Sequence, residues 1–85
     1  REEPLEVDGI FDGSWGSWAV EVKTGSFAPV ELHGLLEFCR RYPRYQPLVI
    51  TAPGDEPVAS RIGVTAINWP DFLLAGPPQG ISPHV

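Results

Sequence analysis

Lysine is almost missing from this chain. Of its six basic residues five are arginines, and Lys23 stands alone. Cysteine is as scarce: with only Cys39 no internal disulfide can form, which fits a reducing compartment and predicts a cytoplasmic protein. No apolar run approaches the ~20 residues of a membrane span, and no signal-peptide pattern is visible, so the sequence predicts no membrane partner. Positive charge is short too. The formal net charge of −5 excludes a surface built to coat nucleic acid. It does not exclude a nuclease, because a metal site is itself made of acids. No internal repeat is present. Gly54-Asp55 is a turn, since no P-loop lysine follows it.

Proline and glycine are plentiful, at ten and nine residues, and they gather in loops and near the C-terminus. Eighty-five residues make one small domain with a modest buried fraction. Apolar content of 42% is ordinary for a globular protein. Charge runs straight into the first apolar stretch, which reads as a piece of something longer. We expect a folded unit over residues 1–74 and a Pro/Gly-rich tail over 75–85.

Residues Pro4 to Phe11 alternate and read as a strand. Asp12-Gly13-Ser14-Trp15-Gly16 is hairpin-turn chemistry, and Ser17 to Thr24 is the returning strand. Pro29 suits a helix start, with Ser26 or Ala28 as cap. Leu32, Leu35, Leu36 and Cys39 then form one apolar stripe on a helix over Val30 to Arg41. Pro47 to Thr51 is the short apolar run of a doubly covered strand. Ala52 to Pro57 reads as loop, Gly63 to Asn68 as a further strand, and Pro70 to Leu74 as a short helix. The order predicts an α/β fold: an antiparallel hairpin, then a crossover to a parallel neighbour in a mixed sheet with flanking helices.

Side chains alternate along strands. Asp8 shares a face with Glu6 and Ile10. Glu21 and Lys23 share one with Ala19, while Trp18, Val20 and Val22 take the other. A hairpin centred between Ser14 and Trp15 sets Asp8 opposite Glu21 and Glu6 opposite Lys23. Opposed carboxylates repel, and a hard cation reverses that sign. Mg²⁺ or Mn²⁺ would take oxygens from Asp8, Glu21 and the Val22 carbonyl. Lys23 would then meet the attacking water or the charge developing on a phosphate. A Glu and a Lys two apart on a strand are by themselves usually a solvated pair; Asp8 at hairpin distance is what makes a candidate site.

Asp8, then Glu21-Val22-Lys23 after a turn, then a helix, resembles the PD-(D/E)XK nuclease superfamily and its restriction-endonuclease-like fold. The wording around Glu6-Val7-Asp8, Val20 to Thr24, Leu32 to Phe38 and Leu48 to Thr51 is similar to the C-terminal domain of prokaryotic AAA-type ATPases. The resemblance spans about residues 5–74. It implies metal ligation by Asp8 and Glu21, a catalytic Lys23, and Mg²⁺-dependent hydrolysis of DNA. The superfamily fold usually opens with a helix before the first strand, and these residues supply none. The other implied role is non-enzymatic: a docking or oligomerisation module in a larger ATP-binding protein, touching missing parts of that chain. A Holliday-junction-resolvase-like homodimer is a third reading.

His33 lies off the leucine stripe and reads as solvated or hydrogen-bonded, since no Cys or Asp has metal spacing to it. His84 lies in the tail. Cys39 reads as a small core residue. Arg40, Arg41 and Arg44 cluster at a helix C-terminus, where the helix dipole favours them; phosphate contact is the alternative. Trp18 reads as core, and Trp69 as a packing anchor. Trp15 would either stack on a base or pack on a partner.

Overall fold

The computed structural model describes residues 7–79. A four-stranded mixed sheet with flanking helices forms an α/β fold. The strands are β1 (Gly9–Gly13), β2 (Gly16–Lys23), β3 (Gln46–Thr51) and β4 (Thr65–Asn68), side by side in that order. β1 and β2 are antiparallel; β2, β3 and β4 are parallel. The helices are α1 (His33–Arg41), α2 (Glu56–Ser60) and α3 (Trp69–Ala75). α1 and α2 connect the parallel strands, as a parallel pair requires.

The hairpin turns tighter than its composition predicts. Gly13 pairs with Gly16, so only Ser14 and Trp15 form the loop. Gly16 adopts φ 104°, a conformation L side chains resist. A Cβ on Gly13 would come within 2.7 Å of the Trp15 ring. Both glycines therefore serve the turn itself. Of the expected first strand, Pro4 to Glu6 lie outside the described residues.

The sheet buries both faces. Ala19, Val49 and Ala66 point to one side, under Leu32, Leu35, Ala59 and Val64. Trp18, Val20, Leu48 and Ile50 point to the other, with Phe11, Ile67 and Phe72 packed on them. α3 covers that second face through Phe72, while Leu73 and Leu74 remain exposed. The apolar stripe of α1 divides at its margin: Leu35 is fully buried, Cys39 half-buried and Leu36 at the surface. Leu35→Ala is expected to cost about 2–5 kcal/mol, a large share of the roughly 4–13 kcal/mol typical of 85 residues. Urea unfolding checks it, with a lowered midpoint and an unchanged slope.

Several expectations need correction. The helix over Val30 to Arg41 is a 3₁₀ turn, Pro29–Leu32, followed by α1. The stretch read as loop to Pro57 already contains the start of α2, whose proline occupies the first turn and so does not break it. Gly63 lies before β4, at φ 81°. Trp69 is 47% exposed rather than an anchor. The tail is docked as far as it is described: Trp18 Nε1 donates to Pro78 O at 3.1 Å, and Gln79 Nε2 donates to Ser14 O at 2.9 Å.

Candidate functional site at the carboxyl ends of the parallel strands

β2, β3 and β4 finish in register, with Lys23 beside Thr51 and Thr51 beside Asn68. In open α/β sheets, ligands bind outside these carboxyl ends. Each predicted site residue lies here. The ladder ends where Gly9 pairs with Val20. Val7 packs on the Ala19 face while Phe11 packs on the Val20 face, so strand alternation breaks at Asp8 and the expected step that opposes it to Glu21 does not form. The Asp8 N–H donates to Val20 O at 2.9 Å. Its Oδ2 accepts the Val22 N–H at 2.7 Å. Asp8 thus grips β2 on both sides of Glu21.

This grip engages the N–H of Val22, while the expected ligand is its carbonyl. Asp8 holds the Val22 amide, and the carboxylate turns along the sheet edge onto β2. One Asp8 oxygen is engaged there, which leaves Oδ1 for other work. Asp8 is exposed and Glu21 half-buried.

The Lys23 ammonium sits between two carboxylates. Glu21 Oε2 and Glu31 Oε1 each lie 3.4 Å from Nζ. Desolvation opposes the charged form of Lys23, but Glu21 and then Glu31 outweigh it and raise its pKa. A lysine so held carries positive charge and does not abstract a proton.

Glu31 is the residue that sequence reasoning missed. Its Oε2 accepts the Ala28 N–H at 2.9 Å, and Oε1 faces Lys23. The Ala28 bond first, and the Lys23 charge after it, hold the Glu31 carboxyl below the ordinary range. The legible signal was an acid three residues past the cap position, the spacing of a capping box.

A second polar group lies at the end of β4. Asn68 Nδ2 donates to Glu56 Oε2 at 2.8 Å and to Asp71 Oδ2 at 3.0 Å, while its Oδ1 accepts the Asp71 N–H at 2.9 Å. Glu56 Oε1 accepts the Gly54 N–H at 2.8 Å. These bonds cap α3 and tie α2 to β4, so they are accounted for structurally.

The arginines lie elsewhere. Arg44 pairs with Asp12 at 3.0 Å, beside the hairpin, and stacks over Tyr45. Arg40 pairs with Glu37. Six residue steps along β2 separate Ser17, the partner of Asp12, from Lys23, about 20 Å at strand rise. Lys23 is therefore well separated from the Arg44–Asp12 pair. Arg61 follows α2, before β4 begins. His33 is exposed at the start of α1.

Glu31, Glu37 and Glu56 all titrate below the ordinary glutamate value of 4.5. Lowered carboxylates contribute stability above the unfolded value and lose it as pH falls through the folded one. Lys23 has the opposite sign: its contribution is complete below 10.5 and lost at higher pH. Melting temperature is expected to fall as pH drops below 4.5 and to change little, through these groups, between 5 and 10. A thermal-melt series across pH checks it.

Among the described residues no cluster of three or more His, Cys, Asp or Glu side chains is placed to hold a metal ion. Two carboxylates, with water completing the shell, nonetheless suit Mg²⁺, which commonly takes one or two protein carboxylates. Asp8 and Glu21 are the two carboxylates that such a site would use. No described helix is long and apolar enough to cross a membrane. Comparison with protein-family models, curated proteins and solved structures finds no match.

Proposed function

We propose that this domain is a PD-(D/E)XK-type nuclease of restriction-endonuclease-like fold, hydrolysing phosphodiester bonds of DNA with Mg²⁺ or Mn²⁺. One observation carries the reading: Asp8 brackets Glu21 across the hairpin, with Lys23 two residues further along β2. Asp8 and Glu21 would hold the cation. When bound, it supplies Lewis acidity at the phosphate and lowers the pKa of water. Lys23 orients a water for attack on phosphorus and neutralises charge on the phosphate oxygens. A P–O bond forms from that water, which gives up a proton to solvent, as the P–O ester bond to the leaving group breaks and the leaving oxygen takes a proton from solvent.

The acidic surroundings of Lys23 fit this chemistry. A polyanion gains little from an end of the sheet with one ammonium and several carboxylates until a divalent cation changes the local sign. The test is cation titration of the wild-type chain against Asp8→Asn, followed by cleavage of DNA.

A second reading rests on α3, where Trp69, Leu73 and Leu74 present exposed apolar surface. It makes the domain a docking module of a larger ATPase with a silent site. If the wild-type chain takes up no cation through Asp8, that reading stands.

A further inference from the structure

We infer that Glu31 is the positioning residue that keeps Lys23 in the site once Glu21 turns to a cation. The inference rests on the nuclease reading and adds a residue to it. It starts from a conflict of duties. Glu21 is both the proposed ligand and a partner of Lys23, at 3.4 Å. A carboxylate drawn to a divalent ion gives up much of its hold on a neighbouring ammonium. A lysine with that partner alone would swing into solvent, since its long side chain has much rotamer entropy to regain.

Glu31 supplies a second hold from a different element. Its carboxylate is fixed by the Ala28 N–H at 2.9 Å. The turn that carries it is pinned by Leu32, fully buried, and by Phe27 before it. Its other oxygen faces Lys23 Nζ at 3.4 Å. Glu31 lies on the 3₁₀ turn after β2, so Lys23 is approached from both its own strand and the crossover. Its two oxygens already serve Ala28 and Lys23, which suits it to orientation rather than ligation.

The single lysine makes a direct test available. Biosynthetic ¹³C-lysine in the 85-residue chain gives one ε-methylene signal, whose relaxation reports the order of that group. Glu31→Gln is the informative variant, because the amide oxygen can still accept the Ala28 N–H while the charge facing Lys23 is gone. Without cation, Lys23 in Glu31→Gln is expected to stay nearly as ordered as in wild type, held by Glu21. With saturating Mg²⁺ it becomes mobile, whereas the wild-type lysine stays ordered. DNA cleavage falls about 10-fold or more in the same variant, with Mg²⁺ affinity kept within a few-fold. If Mg²⁺ binds through Asp8 and Lys23 stays ordered in Glu31→Gln, the inference is overturned and the nuclease reading survives. If Mg²⁺ produces no Asp8-dependent shift in wild type, the nuclease reading fails and takes the inference with it. Loss of protection at the Ala28 amide in Glu31→Gln, with Lys23 order unaltered under Mg²⁺, likewise assigns Glu31 to capping alone.

Discussion

Asp8→Asn is expected to remove divalent-cation binding and DNA cleavage together while leaving the domain folded. Asparagine presents a neutral oxygen in nearly the same place, so it can still accept the Val22 N–H that Asp8 accepts at 2.7 Å. A bond to a charged acceptor is stronger than one to a neutral acceptor, and removing that charge at an exposed site costs about 0.5–1 kcal/mol. Relief of repulsion from Glu21 offsets part of this. Melting temperature should therefore drop by only a few degrees. The functional loss is of another order. One of two carboxylate ligands disappears, so Mg²⁺ affinity falls by at least about 10-fold and cleavage drops below detection. Calorimetric titration with Mg²⁺ or Mn²⁺, beside a nicking assay on plasmid DNA, reads both. Equal cation binding by the wild type and Asp8→Asn would sink the site.

The design of this variant depends on geometry that strand periodicity does not contain. Alternation and turn chemistry predict Asp8 opposite Glu21, and the two-residue loop between Gly13 and Gly16 gives the expected register as far as Gly9 and Val20, where the ladder stops. Periodicity says nothing of where a carboxylate at the end of a strand spends its oxygens. The bond from Val22 is a local competition between side chain and backbone for one amide. Asp8 takes that amide with its side chain beyond the end of the ladder.

The same contrast holds across the fold. β3 was legible because a run of Leu48, Val49 and Ile50 has no polar face to expose, and all three are buried on a central strand. α2 was not legible: five residues that include Pro57 are too short to show a helical period. Glu31 was hidden for another reason. It lies eight residues from Lys23, on a turn whose angle to β2 is set by burial of Phe27 and Leu32. The docking of the segment near Pro78 was not legible because proline and glycine mark conformational stiffness or freedom and say nothing of partners. The indole N–H of the buried Trp18 needs an acceptor, and carbonyls of Trp15 and Pro78 supply it.

Lys23→Met is the second variant of large expected effect, and its two readouts should move in opposite directions. Methionine keeps an unbranched, flexible side chain and removes the charge. Glu21 and Glu31 then lose their shared ammonium, and the acids at the end of β2 become more attractive to a cation. A unit charge and a divalent ion within about 8 Å repel by roughly 1 kcal/mol in water before salt screening. Mg²⁺ affinity is therefore expected to rise about 2- to 5-fold. Cleavage should fall about 100- to 1,000-fold, the usual cost of removing one preorganised donor from a developing oxyanion. A residue that merely held β2 in place would weaken cation binding and cleavage together, since both need Asp8 and Glu21 in place. Tighter cation binding with slower cleavage is the signature of an ammonium that acts on substrate. Unchanged cleavage in Lys23→Met would remove Lys23 from the chemistry and leave it as the charge that reconciles two carboxylates. Arg44 could not substitute for it, because its guanidinium is committed to Asp12 beside the hairpin, about 20 Å from the carboxyl end of β2.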